Sequence, residues 1–279
     1  MKIGLIAGDG DLPHYVILGA QASAYPVSVI TLKDMASPET FSVSTKSFGI
    51  AEFGGIVKFF KANNCTHICM AGDVGRPDFS RLKPDMKGLK YFPGALMAAK
   101  QGDNALLTYL VSAFEKEGFK IISPQEICKS LLIGEGNMGA VKLTQAHRDD
   151  ALKACEIARQ IGALDIGQGA IVCNGLVLAV EAQEGTDEML MRVAELPEQK
   201  RGTMAIRKGV LAKLVKPKQE DRVDLPTIGP KTIELASKAG LAGIVVESGR
   251  AFCIDQDSCR IAADKAGLFI TGLPAIKSS

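Results

Sequence analysis

The segment between residues 213 and 230 has the residue types needed to bind and cleave a phosphate ester. It combines several cations with acids, of which Asp224 is isolated between two apolar residues. Pro217 and Pro226 stiffen its two flanks, because proline fixes its own backbone and restricts the residue before it. The pattern predicts a loop that holds anionic oxygens around a single carboxylate. The cations of the segment are Lys213, Lys216, Lys218 and Arg222.

Three further acids, Glu181, Glu184 and Asp187, occur at a predicted strand end and in the tight turn after it. Together with Asp224 they form a set of oxygen donors of the kind that binds Mg²⁺ when a substrate phosphate completes the coordination shell. Other readings remain open from the residues alone. Asp187 could serve only the dipole of a following helix, and Glu181 could pair with a lysine.

A glycine-rich turn, Gly8-Asp-Gly-Asp-Leu-Pro13, follows the first apolar run. A turn of this kind at a helix start presents backbone N–H groups to a phosphate. It resembles half of a dinucleotide fingerprint, but proline stands where a third glycine is expected. We favour contact with a phosphate or sugar nucleotide, with a purely structural turn and NAD(P) binding as alternatives. Arg76, in a second loop, could bind phosphate or be an exposed loop arginine.

Composition narrows the function classes. The chain has 279 residues, a net charge of +2 and no tryptophan, which argues against a nucleic-acid partner. Its seven scattered cysteines predict buried thiols in a reducing cytoplasm. Cys65 and Cys69 could suggest a metal site, but their apolar surroundings favour core packing. We expect neither a signal peptide nor a membrane span, since the first residues are typical of a strand.

The elements that must position these residues alternate between strands and helices. Predicted strands at Ile3–Ala7, Val27–Leu32 and Thr66–Ala71, with helices after them, indicate an α/β fold with a parallel, Rossmann-like sheet. Because ligands bind beyond the carboxyl ends of such strands, the Gly8 turn and the loop from Gly72 to Arg76 are predicted to share one rim. Leu96–Glu117 is predicted to be largely helical.

A second, mixed α/β domain is predicted for the C-terminal half. The expected division is residues 1–133 for the Rossmann-like domain, 134–139 for a linker and 140–279 for the catalytic domain. Asn174-Gly175 between apolar runs predicts a type I′ hairpin. Thr186 is a predicted helix N-cap, and Gly229-Pro230 is a predicted helix start.

Six strings of the sequence together resemble one family, the LpxI-type UDP-2,3-diacylglucosamine pyrophosphohydrolases. The two longest and most specific are Val180–Asp187 and Lys216–Gly229, and the resemblance covers nearly the whole chain. Asp9 and Asp11 depart from some relatives, as does Asp73. The other four strings are Ile6–Pro13, Arg76–Phe79, Gly102–Leu107 and Asp165–Gly169.

The resemblance implies a cytoplasmic, Mg²⁺-dependent enzyme of lipid A biosynthesis. Such an enzyme would cleave UDP-2,3-diacylglucosamine to UMP and 2,3-diacylglucosamine 1-phosphate (lipid X). The resemblance also implies two domains with the lipid in a chamber between them and a homodimer. The amphiphilic substrate allows peripheral contact with the inner membrane surface. Two alternatives stay open: an NAD(P)-binding oxidoreductase and a non-catalytic protein that binds a sugar nucleotide or lipid.

The family's essential aspartate corresponds to Asp224, which we predict to be catalytic as a general base or as a metal ligand. Glu181 and Glu184 are the other predicted Mg²⁺ ligands. Lys213, Lys216 and Arg222 could neutralise the charge of two phosphoryl groups. The full set of predicted substrate-binding residues is Gly8, Gly10, Asp11, Leu12, Asp73, Arg76, Asp103, Gln168, Thr186, Asp187, Lys213, Lys216, Gln219, Arg222 and Thr227.

Overall fold

A computed structural model describes residues 1–33, 41, 43, 45–75, 77–217, 220 and 222–275. The chain forms two compact units. Unit 1 consists of Met1–Lys129 together with the short segment Glu220–Asp224, and unit 2 consists of Ser130–Gln219 and Leu225–Ser279. The segment predicted to bind phosphate therefore contributes residues to both units.

Unit 1 has a five-stranded parallel sheet in the order β3-β2-β1-β4-β5, which is the order of a Rossmann-like half. The central strand β1 is buried along its whole length because helices cover both faces of a parallel sheet. The elements are β1 (Ile3–Ala7), α1 (Leu12–Ala22), β2 (Val27–Leu32), β3 (Thr45–Phe48), α2 (Phe53–Ala62), β4 (His67–Ala71), α3 (Met86–Ala99), α4 (Asp103–Lys116), β5 (Lys120–Ile121) and α5 (Pro124–Ile127).

Unit 2 has a six-stranded mixed sheet in the order β6-β13-β11-β9-β7-β8, in which β9, β11 and β13 are parallel. Helices α7, α8 and α9 pack on one face, and α6 packs on the other. A short parallel pair, β10-β12, lies apart from this sheet. The elements are β6 (Gly136–Asn137), α6 (Gln145–Ala163), β7 (Gly169–Cys173), β8 (Leu176–Val180), α7 (Gly185–Ala194), β9 (Val210–Lys213), β10 (Thr227–Ile228), α8 (Pro230–Lys238), β11 (Gly243–Glu247), β12 (Phe252–Cys253), α9 (Gln256–Ala266) and β13 (Phe269–Leu273).

The predicted fold class, a Rossmann-like domain and a second mixed α/β domain, is confirmed. The β7–β8 turn has φ values of 50° at Asn174 and 76° at Gly175, as a type I′ turn requires. Asp150 stabilises this turn by accepting hydrogen bonds from both backbone N–H groups, at 2.8 and 2.7 Å. Helix α8 begins at Pro230 with Gly229 as its N-cap, as the sequence predicts. All seven cysteines are buried free thiols.

Three local predictions differ from the structure. The single helix predicted for Leu96–Glu117 is two helices, because Gly102 has a φ of 131° and breaks the chain direction between α3 and α4. Thr186 is the second residue of α7 and not its N-cap, since its hydroxyl binds a side chain instead of the helix backbone. The expected linker at residues 134–139 contains β6, which pairs antiparallel with β13.

Candidate active site

Three residues of unit 2 form one row across the edge of its sheet where β9 ends. The N–H of Glu181, just after β8, donates to the carbonyl of Gly169 on β7 at 2.8 Å, and Gly169 is paired in register with Lys213 on β9. A Cβ on Gly169 would lie 2.7 Å from Oε2 of Glu181. The absence of a side chain at Gly169 therefore leaves the space that the Glu181 carboxylate occupies.

Glu181 is buried, with only 5% of its surface exposed. Its Oε1 accepts a hydrogen bond from the hydroxyl of Thr186 at 2.7 Å. Its Oε2 is enclosed and has no hydrogen-bond partner within the described part of the chain. A buried polar oxygen without a partner is costly, and such groups in native proteins commonly await a water, an ion or a ligand. This oxygen is the clearest sign of an incomplete polar site in unit 2.

Lys213 is also buried, with 8% of its surface exposed. Its ammonium donates to the backbone carbonyl of Thr227 at 2.9 Å, and no carboxylate of the described residues lies within ion-pair distance of it. Burying a cation is unfavourable unless an opposite charge compensates it. The geometry therefore suits a cation that meets an anionic ligand. The Thr227 hydroxyl points back along the chain and donates to the carbonyl of Leu225 at 3.2 Å.

Three other predicted site residues of unit 2 have protein partners. Glu184, a predicted metal ligand, forms an ion pair of 2.5 Å with Arg192. Asp187 forms one of 2.8 Å with Lys231 at the start of α8.

The third of these residues, Lys216, lies 2.8 Å from Asp165. Sequence reasoning missed Arg192, Lys231 and Asp165 as partners, because each pairs with a residue at least eight positions away along the chain.

Gln168 lies just before β7, where its carbonyl accepts a hydrogen bond from the N–H of Leu214 at 2.9 Å. Its side-chain Oε1 is buried and, like Oε2 of Glu181, lacks a hydrogen-bond partner among the residues that the structure describes. Among its described residues, unit 2 thus has two enclosed acceptor atoms without donors, on residues flanking the same end of β7.

The segment Glu220–Asp224 is held in unit 1 by α4. The backbone N–H of Glu220 donates to Oδ1 of Asn104 at 2.7 Å. The guanidinium of Arg222 binds both carboxylate oxygens of Glu220, at 2.7 and 2.8 Å, and also Oε1 of Glu115 at 2.9 Å. These contacts raise the pKa of Arg222 and lower that of Glu220, because each hydrogen bond favours the charged form.

This arrangement changes the expectation for Arg222. Two carboxylates already compensate its charge, so in this structure it anchors the segment to α4 instead of presenting an open cation. Asp224 lies half-buried at the end of the same turn, where its N–H donates to the carbonyl of Glu220 at 3.3 Å. Asp103, the first residue of α4, directly precedes the Asn104 that binds this segment. Glu115 is a positioning residue that the sequence did not reveal.

The glycine-rich turn of unit 1 is bound tightly to the loop after β4. The N–H of Gly8 donates to the carbonyl of Ala71 at 2.8 Å, and Asp9 and Asp73 exchange backbone hydrogen bonds of 2.8 and 2.9 Å. The predicted shared rim is therefore present. However, the N–H groups of Gly8 and Asp9 are already used in these bonds, so donors to a phosphate would have to come from later residues of the turn.

The rest of the turn is more open. Gly10 has a φ of 87° with nothing close to its would-be Cβ, and Asp11 is the N-cap of α1 without a side-chain capping bond. Leu12 is the first residue of that helix. These residues, with Asp73, remain predicted substrate contacts. The predicted contacts Arg76 and Gln219 lie outside the described residues.

The donor atoms present can be compared with the needs of Mg²⁺. In the described part of the chain, no three His, Cys, Asp or Glu side chains form a ready-made metal cluster. Mg²⁺ in phosphate chemistry usually takes one or two protein carboxylates and completes its shell with phosphate oxygens and water. The enclosed, unpartnered Oε2 of Glu181 suits one such position, whereas Glu184 is engaged by Arg192.

Unit 1 also contains a small apolar cleft between α2, α3 and α4, with a cavity volume of about 70 Å³. Its lining is almost wholly apolar, and its volume is smaller than that of a typical small-molecule site. Sequence reasoning missed this cleft. A signal existed in α4, where the lining residues Leu106, Tyr109, Leu110 and Ala113 recur at helical spacing on one face.

None of the helices in the described ranges combines the length and apolar character needed to cross a membrane.

Comparisons with known proteins cover nearly the whole chain. A family model described as the LpxI N-terminal domain matches residues 2–131, and one described as the LpxI C-terminal domain matches residues 134–271. The chain is 50% identical over 272 residues to the UDP-2,3-diacylglucosamine pyrophosphatase LpxI of Caulobacter vibrioides, which covers 98% of this chain and 97% of that protein.

Among solved structures, the similarities are weak. The CobK precorrin-6A reductase is 12% identical with a TM-score of 0.34, covering 100% of this chain and 90% of that one. The Thermus thermophilus UDP-glucose 4-epimerase is 11% identical with a TM-score of 0.30, covering 99% and 86%. At these scores neither similarity supports an argument about function.

Proposed function

Since this chain belongs to the LpxI family, we propose that it hydrolyses the pyrophosphate bond of UDP-2,3-diacylglucosamine. The products would be 2,3-diacylglucosamine 1-phosphate and UMP, as a step of lipid A biosynthesis. The main support is the 50% identity to the Caulobacter vibrioides enzyme over 98% of the chain. The structural support is a polar site in unit 2 that combines a buried cation with a buried carboxylate.

In the proposed reaction, water adds to one phosphorus and the bond from that phosphorus to the bridging oxygen breaks. The bridging oxygen leaves with the other phosphate, and the proton of the attacking water must be accepted. We assign Asp224 as the catalytic residue, with two roles open to its carboxylate: accepting that proton or ligating a metal. The ion pairs of Arg222 with Glu220 and Glu115 hold the turn that ends at Asp224.

We assign Lys213 to a pyrophosphate oxygen. Its buried ammonium already donates to the Thr227 carbonyl, and an ammonium has further donors to offer. A phosphate oxygen would supply the opposite charge that this cation lacks among the described residues. In the same proposal, Lys216, Gln168, Thr186, Asp187 and Thr227 contact the substrate or hold those residues in place.

Glu181 is our proposed Mg²⁺ ligand, because its enclosed Oε2 lacks a partner and Thr186 holds the other carboxylate oxygen. A bound Mg²⁺ would supply positive charge to phosphate oxygens and lower the pKa of a coordinated water. Thr186 would fix the orientation of the Glu181 carboxylate. Because Glu184 is already paired with Arg192, we propose that it supports the site and that Glu181 is the residue that ligates the metal.

The apolar cleft of unit 1 is our proposed site for an acyl chain. Its lining is almost wholly apolar and includes Phe79, Tyr91, Phe92 and Leu110. Burying hydrocarbon in such a cleft is favourable by about 25 cal/mol per Å² of apolar area. The proposal extends to a cytoplasmic homodimer that takes its amphiphilic substrate from a membrane surface.

The test is a hydrolysis assay with purified protein, UDP-2,3-diacylglucosamine dispersed in detergent, and Mg²⁺. We expect UMP and the acylated sugar phosphate in equal amounts, and a loss of about 10³-fold or more for Asp224→Asn, the range of general-base and charge-stabilising residues. Asp257→Asn is the matched control, since Asp257 is exposed and its ion pair is with Arg260 on its own helix.

Absence of UMP release by the wild-type chain would refute the proposed activity. Equal activity of wild type and Asp224→Asn would refute the assignment of Asp224. The metal is tested separately by the thermal unfolding midpoint with and without Mg²⁺. No Mg²⁺-dependent rise in that midpoint, together with full activity in EDTA, would exclude Mg²⁺ as the cofactor.

A further inference from the structure

Helix α3 exposes an apolar stripe to solvent. Met86 is 87% exposed, Leu89 55% and Met97 66%, all on one 14-residue helix. At 3.6 residues per turn, these three residues and the exposed Pro93 fall within a sector of about 80°. Exposed apolar residues are common when scattered, whereas a contiguous stripe marks an interaction surface.

The stripe is separate from the apolar cleft. Tyr91, Phe92 and Ala95 lie on the opposite side of α3 and line that cleft together with residues of α4. Helix α3 is therefore apolar on two faces. One face packs into unit 1, and the other has no partner among the described residues.

The charges around the stripe are of one sign. Lys90 and Lys100 fall in the same sector as the apolar residues or next to it, and Lys83 precedes the helix. The only acid between residues 83 and 101 is Asp85, whose carboxylate accepts hydrogen bonds from the N–H groups of Gly54, Gly55 and Gly88. Asp85 thus caps helices and does not neutralise the lysines. A further lysine, Lys87, is already paired with Glu117 at 2.6 Å.

An apolar stripe flanked by exposed lysines has the character of a helix that lies in the interface of an anionic bilayer. The apolar side chains enter the boundary with the acyl chains, and lysines extend their ammonium groups to the anionic headgroups. Basic residues near such a surface strengthen the attraction to its anionic lipids. A protein partner with an acidic rim would satisfy the same charges, but α3 has no acid of its own to pair with a second copy of itself.

We propose that the α3 stripe, Met86, Leu89, Pro93 and Met97 with Lys83, Lys90 and Lys100, docks this protein onto the surface of an anionic phospholipid bilayer. The reason for meeting a membrane rests on the proposed function, since an acylated substrate resides there. The binding itself does not depend on turnover. In this arrangement the outer face of α3 contacts lipid while its inner face lines the cleft proposed for an acyl chain.

The first test is co-sedimentation with vesicles of phosphatidylethanolamine and phosphatidylglycerol (3:1), compared with phosphatidylcholine vesicles. We expect binding to the anionic vesicles that weakens with salt. Both a Met86→Ser/Leu89→Ser/Met97→Ser variant and a Lys83→Gln/Lys90→Gln/Lys100→Gln variant should bind at least about tenfold more weakly. The matched control is Leu176→Ser/Met204→Ser/Ile206→Ser in unit 2, whose three residues are 65%, 73% and 65% exposed.

The second test uses the absence of tryptophan from the chain. In Met97→Trp the new indole is the sole tryptophan. Its emission should shift to the blue on adding anionic vesicles and be quenched by brominated lipids, whereas Met204→Trp should respond to neither. A blue shift that grows with protein concentration without lipid would assign the stripe to a second copy and overturn the proposal.

Failure of this proposal can be told apart from failure of the proposed function. Equal vesicle binding by wild type and by the serine variant would overturn the docking surface, even if UMP release is normal. If the docking surface is correct, the serine variant keeps its turnover of substrate dispersed in detergent but loses at least about fivefold with substrate embedded in anionic vesicles. An unchanged thermal midpoint confirms that the variant is folded.

Discussion

The ends of the strands in the two units differ in how well their polar groups are satisfied. In unit 1, the loops after β1 and β4 bind each other through backbone hydrogen bonds between Asp9 and Asp73. In unit 2, the residues beside the ends of β7 and β9 include a buried lysine without a carboxylate partner among the described residues and a carboxylate oxygen without a donor. Among the described residues, these two loops of the first edge satisfy each other's backbone groups, whereas the second edge has unmet polar groups.

This difference supports our proposal that the ligand binds at the unit 2 edge. Buried polar groups without partners reduce stability, and proteins commonly retain such features where function needs them. The glycine-rich turn of unit 1 looks more like a phosphate site in sequence, yet its first N–H groups serve the fold. The unit 2 edge has no familiar phosphate-binding motif. However, its buried Lys213 is paired with Gly169 on one side, and its buried Glu181 is hydrogen-bonded to Gly169 on the other.

The largest expected effect comes from a substitution at Gly8, where the two loops of unit 1 meet. A Cβ at Gly8 would lie 2.3 Å from the carbonyl oxygen of Asp73, which is backbone and is held by its hydrogen bond to Asp9. Gly8→Ala should therefore lower the free energy of unfolding by about 2–3 kcal/mol. Urea denaturation followed by circular dichroism measures the change. If the two units unfold in distinct transitions, each transition is analysed on its own.

Gly75→Ala is the control for this prediction. It changes a glycine of the loop that follows β4, where nothing lies within 4 Å of the would-be Cβ. We expect a change within about 0.5 kcal/mol. If the two variants were equally stable, the tight approach of the two loops would not be what fixes glycine at position 8.

An intermediate effect is expected from two cations of the segment between residues 213 and 230, Arg222 and Lys213. Arg222→Met would leave Glu220 and Glu115 without their shared partner and should cost about 1 kcal/mol, discounted because Arg222 is partly exposed. Lys213→Met should leave stability unchanged or raise it slightly, since it removes a buried, uncompensated charge. Turnover should fall in both variants. Lys238→Met, which breaks an exposed pair on α8, should change stability by only a few tenths of a kcal/mol.

The pH dependence distinguishes these variants further. Arg222 lowers the pKa of Glu220 below its ordinary 4.5, so the stability that this carboxylate adds is present above pH 4.5. That contribution is lost as the pH falls through the lowered pKa. The stability difference between wild type and Arg222→Met should therefore shrink as the solution is acidified below pH 4.5. A difference that stays constant in acid would show that the ion pair is not its source.

Much of the fold follows from sequence patterns. The bounds of β1 and β2 match the predicted ranges, because buried parallel strands have a distinct apolar pattern. The part of α3 before Leu96 was missed, since Gly88, Pro93 and Gly94 are unfavourable inside helices, and the packing of α3 against α4 overrides that preference. Its N-cap, Asp85, is a local signal that could have identified the start.

The candidate site was less accessible from sequence. The types of Glu181, Lys213 and Asp224 suggested phosphate chemistry, but their partners could not be read from a linear pattern. Glu115 reaches Arg222 across 107 residues, and Gly169 meets Glu181 only through strand pairing. Spacing along a chain predicts contacts within one helix or hairpin, whereas these contacts depend on how the sheet and helices pack.

The smallest expected effect on stability comes from substituting Glu181, at the edge of unit 2 that has unmet polar groups. In Glu181→Gln the amide oxygen can still accept the Thr186 hydroxyl, while the buried negative charge is lost. A neutral buried amide costs less than a buried, unpartnered carboxylate oxygen, so the free energy of unfolding should stay equal or rise by up to about 1 kcal/mol. In contrast, we expect any Mg²⁺-induced rise in the thermal midpoint to disappear and turnover to fall.

Glu184→Gln, at a carboxylate already paired with Arg192, is the matched control and should lose stability by a few tenths of a kcal/mol, as is usual for partly exposed pairs. A clear loss of stability in Glu181→Gln would mean that the carboxylate serves the fold, and the contrast between the two strand edges would then no longer indicate where the ligand binds.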